Sequence, residues 1–185
     1  DGTFKFRSNP KRIGKDMKWK MVGGGVLHTC AINHEGELFC WGDNEWGQLG
    51  IGTYENKNSP QKIISKKSWK YIGKGDFHTC AVSEDGSIYC WGNKAGYGEI
   101  SRTQGILDMK KIFGMPTPHL VQVSDFQDWE IVEGETLYTC GIRSDNALFC
   151  WGDFVGIRDG SNPMQIEKEK EWKYVRGSIG NPCAM

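Results

Sequence analysis

Hydrophobic residues in this chain fall in short bursts separated by polar, glycine-bearing joints, a pattern of short strands rather than of helices. The clearest pair is Cys30-Ala31-Ile32 and Leu38-Phe39-Cys40, set about the polar centre His34-Glu35-Gly36. Pairing Asn33 with Glu37 leaves a three-residue loop whose last position, Gly36, can take the positive φ that a bulged hairpin needs. The same count gives loops at Glu84-Asp85-Gly86 and Ser144-Asp145-Asn146. Asparagine is the next best residue for that conformation, so the third copy departs from glycine without breaking the rule. The pattern therefore predicts three similar hairpins.

Those hairpins sit inside a longer repeat. It opens at Trp19, passes through His28-Thr29-Cys30-Ala31 and Leu38-Phe39-Cys40-Trp41-Gly42, and ends with Gly47-Gln48-Leu49-Gly50. It recurs from Trp69 through His78-Thr79-Cys80-Ala81 and Ile88-Tyr89-Cys90-Trp91-Gly92, and from Trp129 through Tyr138-Thr139-Cys140-Gly141 and Leu148-Phe149-Cys150-Trp151-Gly152. Leading tryptophans are 50 and then 60 residues apart, and Trp172 begins a half repeat that reaches Cys183. The chain opens with the complementary half, because Ser8-Asn9-Pro10 matches Asn58-Ser59-Pro60 and Ser161-Asn162-Pro163. Periods of this length with several short strands per unit predict an all-β fold of propeller blades. The expected units are residues 1–18 (the second half of a repeat), 19–68, 69–128 with an insertion at 94–118, 129–171, and 172–185 (the first half of a repeat). Two arrangements fit the split ends: a segment of a longer propeller, which is favoured, or a four-bladed ring whose halves share one blade.

Counting outward from each hairpin loop places Cys30 opposite Cys40 in a non-hydrogen-bonded pair, where Cα atoms are about 4.5 Å apart and a disulfide can form. Cys80 and Cys90, and Cys140 and Cys150, stand in the same relation. Small buried thiols in a reducing compartment are the alternative, but three identical cross-strand spacings favour disulfides, and with them an extracellular or secretory location. Nine residues between cysteines do not suit zinc. Cys183 is left over, with Phe6 at the matching position near the start, and is expected to be unpaired or bridged to another chain.

The run from His28 to Gly50 resembles the repeat of the regulator-of-chromosome-condensation family, and the paired cysteines resemble its extracellular branch, as in plant Crinkly-type receptor ectodomains and secreted bacterial proteins. The resemblance implies a propeller of four-stranded antiparallel blades, of which this chain holds about half. The second copy departs from the motif at Tyr97-Gly98-Glu99 and the third at Asp153-Phe154-Val155-Gly156. The founding member promotes nucleotide exchange on a nuclear GTPase, but relatives serve as receptor ectodomains, inhibitors and scaffolds. Protein binding without catalysis is the expectation, with partners that include other propeller-containing chains or copies of this one. A structural subunit built from partial propellers and an intracellular small-GTPase exchange factor or adaptor are the alternatives.

Composition narrows the choice. Lysine plus arginine and aspartate plus glutamate are both 23, so no global field draws in nucleic acid. The basic stretches Lys5 to Lys20 and Lys57 to Lys70 and the acidic stretch Asp125 to Glu135 read first as solvated faces. No apolar run approaches the roughly 18 residues of a membrane helix. Because the sequence opens at Asp1, it is read as a mature product or as part of something longer.

Candidate chemistry is sparse. His28 and His78 recur at one repeat position where the third copy has Tyr138, a replacement that suits a hydrogen-bonded, half-buried side chain and not a general base or metal ligand. Trp41, Trp91 and Trp151 read as packing residues. Asp43, Asn44, Asp153 and Asp159 lack calcium-loop spacing, and no cofactor or nucleophile motif is present. The connection from Lys94 to Pro118 is longer than its counterparts, and Tyr97, Arg102 and Phe113 are its candidate binding anchors.

Overall fold

The computed structural model describes residues 2, 3, 5, 8–93, 116–152, 162–176 and 183–184. It contains three four-stranded antiparallel sheets, each with its strands in chain order, and one two-stranded sheet. Blade 1 is β1 (Trp19–Gly24), β2 (His28–Asn33), β3 (Leu38–Gly42) and β4 (Lys57–Lys62). Blade 2 is β5 (Trp69–Lys74), β6 (His78–Ser83), β7 (Ile88–Gly92) and β8 (Thr117–Gln122). Blade 3 is β9 (Trp129–Gly134), β10 (Tyr138–Arg143), β11 (Leu148–Gly152) and β12 (Met164–Ile166), and β13 (Val175–Arg176) pairs with β14 (Cys183–Ala184) as a half-blade. The long connection of the second repeat thus ends one residue into β8, at Pro118.

The hairpins form where the chain's polar centres lie. Gly36, Gly86 and Asn146 have φ of 76°, 77° and 63°. Asn33 N–H donates to Glu37 O, Ser83 N–H to Ser87 O and Arg143 N–H to Ala147 O. The residue in the left-handed conformation also starts the next repeat: Trp69 N–H donates to Gly36 O, Trp129 N–H to Gly86 O and Trp172 N–H to Asn146 O. Each leading tryptophan is therefore tied to the turn of the blade before it. A β-bulge after Trp19 and another after Trp69 shift the register there. Trp69 stacks edge-on against Tyr89 at 5.6 Å, and Trp129 against Phe149 at 5.5 Å.

The core lies between blades, not within them. One cluster joins Cys30, Ile32, Leu38 and Cys40 of blade 1 to Trp69, Ile72 and Trp91 of blade 2. A second joins Cys80, Val82, Ile88 and Cys90 to Trp129, Val132 and Trp151. A third joins Cys140, Ile142 and Cys150 to Val175. A sheet has two faces, and here each blade buries its trailing face against the leading face of the next. Full burial of each large side chain contributes about 1.5–3 kcal/mol before entropy is counted. The result is a partial, open propeller, and among the described residues no strand of the first eighteen joins β13 and β14. Gly2 instead exchanges hydrogen bonds with Asn58 on the outer strand of blade 1, so the alternative of a ring closed through a shared blade is not what forms.

Candidate binding surfaces around the blade seams

The three cysteine pairs face each other in register, Cys30 with Cys40, Cys80 with Cys90 and Cys140 with Cys150. Each pair is disulfide-bonded with Cα atoms 4.1 Å apart, somewhat closer than the ordinary spacing of such positions. All six cysteines are buried in the seams.

Beside the disulfides runs a ladder of polar links from blade to blade. His28 Nε2 lies 2.8 Å from Thr79 Oγ1, and His78 Nε2 lies 2.9 Å from Thr139 Oγ1. Thr79 donates its single hydroxyl hydrogen to Gln48 O, so it can only accept from His28, whose proton must then sit on Nε2. Trp91 Nε1 donates to the same carbonyl at 2.9 Å. Burial holds the His28 imidazole down at about pKa 4, against the pull of Asp43 and Asp76. Burial, then the neighbouring His28, holds His78 at about 3. Both histidines are fully buried rather than half-buried, because the next blade closes over them. They are neutral struts, and a neutral imidazole with a pKa this low is a poor base near pH 7.

The Gly47-Gln48-Leu49-Gly50 loop that carries the shared carbonyl is built by two amides. Asn44 Nδ2 donates to Thr53 O and Glu55 O, and Asn44 Oδ1 accepts from Leu49 N–H. Gln48 Nε2 donates to Asp43 Oδ2. A Cβ on Gly50 would stand 2.7 Å from Trp91 Nε1, so glycine is what lets the loop lie on the next blade. Asp43 and Asn44, with oxygens suited to a cation, are thus spent on the loop itself. Trp151, one repeat after Trp91, has a buried Nε1 with no acceptor among the described residues.

Two concave surfaces flank these seams. The first, about 270 Å³, lies where the inner strands converge, between Gly24, Lys74, Asp76, Glu133, Glu135 and Arg176. Its most buried charge, Glu133, accepts from Tyr71 Oη at 3.0 Å and lies 3.3 Å from Arg176. Burial pushes the Glu133 carboxyl up, while burial and that carboxylate push Tyr71 up to about 12. Asp76 accepts a hydrogen bond from Thr136.

The second surface, about 440 Å³, is a groove on the outer rim between blades 1 and 2, lined by Lys62, Ile64, Lys66, Lys67, His119 and Leu120 among others. Lys62 pairs with Glu37 and Lys67 with Asp85, whereas Lys66 has no ion pair among the described residues. Ile64 is 91% exposed in the midst of these lysines. The long connection ends beside this groove: Tyr54 donates to Pro116 O, and Gly52 N–H to Pro118 O. Sequence reasoning passed over the groove because its lysines read as a solvated face. The one signal was Ile64, an apolar residue following a core isoleucine in a lysine-rich stretch.

Tyr97, Arg102 and Phe113, with Asp153 and Asp159, lie outside the described residues. Cys183 holds the register position opposite Arg176 in β13 and β14, and the state of its thiol likewise falls outside them. Among the described residues no group of three or more histidine, cysteine or acidic side chains could hold a metal ion, and no helix is long and apolar enough to cross a membrane.

Residues 35–82 and 72–99 match the Regulator of chromosome condensation (RCC1) repeat. A 37-residue stretch, 20% of this chain and 4% of its relative, is 43% identical to the human Probable E3 ubiquitin-protein ligase HERC4. Among solved structures the chain is similar to human WBSCR16, with a TM-score of 0.76 at 17% identity over 92% of this chain and 46% of that one. It is similar to Prp20p of Saccharomyces cerevisiae, described for its binding to Gsp1p and histones, with a TM-score of 0.69 at 18% identity over 85% and 41%. The ectodomain of the Physcomitrella patens receptor kinase CR4 gives 0.55 at 19% identity over 92% and 38%. The chain spans less than half the length of each.

Proposed function

On the premise that this chain is made of RCC1-type repeats, we propose that it is an extracellular protein-binding module, non-catalytic, whose partner docks on the outer rim of blades 1 and 2. The observation that carries the reading is the trio of buried cross-strand disulfides, one in each complete blade. Such bonds persist in oxidising compartments and are rare where thiols are kept reduced. The groove of Lys62, Ile64 and Lys66 offers an apolar anchor point framed by positive charge, and the connection that carries Tyr97, Arg102 and Phe113 in the sequence ends at Pro118, next in the chain to the groove residues His119 and Leu120. Long connections on rigid scaffolds are where binding residues concentrate. The CR4 ectodomain supports the location and Prp20p the taste for protein partners, by likeness of fold.

Cross-linking native tissue with a membrane-impermeant amine reagent tests this. Bridges from Lys62, Lys66 or Lys67 to another polypeptide are expected. Bridging only with a permeant reagent, together with alkylation of all seven cysteines without reduction, would put an intracellular GTPase adaptor in its place.

A further inference from the structure

Repeat symmetry separates what the scaffold needs at the outer groove from what it does not. Lys62 and Gln122 hold one repeat position, since each follows the residue that faces the second cysteine of its hairpin, Gln61 opposite Cys40 and Val121 opposite Cys90. The next position is structural in both copies. Ile63 N–H donates to Leu38 O and Val123 N–H to Ile88 O, and both side chains pack on the core between blades. Beyond it the copies part, with Ser124, Asp125, Phe126 and Gln127 after blade 2 where Ile64, Ser65, Lys66 and Lys67 follow blade 1. The seam between blades 2 and 3 thus closes without a lysine at any of these positions. Packing calls for neither the lysines nor an isoleucine that is 91% exposed.

The groove they line has an apolar floor. Ile51, Tyr89 and Leu120 are its half-buried members, each packed against the core between blades 1 and 2. Lys62, Lys66, Lys67 and His119 stand around them, and none of the described lining residues is acidic, although the chain as a whole carries as many acids as bases. Glu37 and Asp85 hold Lys62 and Lys67 from outside the groove. Exposed pairs of that kind are weak and open to exchange, so their lysines stay available to a partner's carboxylates.

We propose that the groove receives an extended acidic segment of its partner, with carboxylates on Lys62, Lys66 and Lys67 and one aliphatic or aromatic side chain covering Ile64. Charge complementarity selects the sign of the segment. The apolar floor selects a polypeptide, because a sulfated glycan brings the charge but no aliphatic group to remove Ile64 from water. The inference rests on the outer-rim reading above and adds the chemistry of the partner.

Fluorescence anisotropy with the purified 185-residue chain tests it, against labelled peptides with a central leucine flanked by glutamates, the same peptide with glutamines for glutamates, and the acidic peptide with serine for leucine. The glutamate–leucine peptide should bind about tenfold or more tightly than either control and weaken as salt is raised. Lys66→Glu and Ile64→Ser should each cost about fivefold or more in affinity, while Lys168→Glu, the same charge change on an exposed residue of blade 3, should cost less than about twofold. Both groove side chains are exposed in the free chain, so thermal unfolding of these variants should match the parent. No saturable binding, equal affinity for either control peptide, or equal loss with Lys168→Glu would overturn the proposal. A heparin-derived oligosaccharide that binds more tightly than the peptide and is lost in Lys66→Glu would replace the acidic segment with a glycan. Cross-links from Lys62 or Lys66 to another polypeptide would stand whatever the peptides do, so failure of the acidic segment and failure of the outer-rim reading are told apart.

Discussion

Acid should loosen the seams before it titrates most carboxylates. His28 and His78 are buried, neutral and held at about 4 and about 3, whereas an exposed histidine titrates near 6.5. The unfolded chain therefore binds protons that the folded one refuses, and stability falls as pH drops below 6.5. The loss for His28 is complete only below its folded value. At about 1.4 kcal/mol per pH unit per group, His28 contributes roughly 3 kcal/mol over that window and His78 somewhat more. Together these approach the whole stability of an ordinary domain, about 5–15 kcal/mol. Glu133 and Glu135, whose carboxyls are raised by burial, act in the opposite sense at the acid end of the window. The decisive quantity is therefore a difference: urea unfolding from about pH 7 to pH 4.5 for the parent chain and for His28→Gln, which can still donate to Thr79 but does not titrate. The variant should start less stable and lose about 1.4 kcal/mol less per pH unit than the parent. Parallel slopes would show that His28 is solvated or charged in the fold, and the strut argument would fail.

Gly86→Ala should cost more than Gly36→Ala, because a Cβ at 86 would stand 2.1 Å from Gln127 O while one at 36 meets only the Ser68 side chain at 3.1 Å; both add the strain of positive φ, about 1 kcal/mol, readable as unfolding midpoints. Asn44→Ala removes three hydrogen bonds from a buried loop and should cost about 3 kcal/mol, with Trp91 fluorescence shifting red as its acceptor loop loosens. Alkylation of the unreduced native protein should label one cysteine at most, and seven after reduction, as read by intact mass.

The parts of the fold that depend on local counting were legible in the sequence. The loop ending at Gly36, Gly86 or Asn146 sets the hairpin register, and the register alone puts Cys30 against Cys40. The contacts between repeats were not legible, because they join positions that no local rule relates. His28 could be recognised as structural from its replacement by Tyr138, yet nothing in the sequence says that its partner is Thr79, 51 residues on. The Gln48 side chain looked like the motif's signature, but its backbone carbonyl is what the next blade uses. Charge counting likewise missed the outer groove, since Lys62 and Lys67 are neutralised by Glu37 and Asp85 while Lys66 and Ile64 are left facing water.

The bond from each turn's left-handed residue to the following tryptophan separates length from pitch. Lys62 and Gln122 are each followed by six residues before the next leading tryptophan, whereas the gap before the outer strand ranges from 11 residues after Gly152 to 24 after Gly92. Length differences between repeats therefore fall in one connection and leave the spacing from outer strand to next leading tryptophan unchanged between blades 1 and 2. A foreign segment spliced between Gly92 and Thr117 would inherit that insulation, making this connection the natural port for grafting a new specificity onto the scaffold.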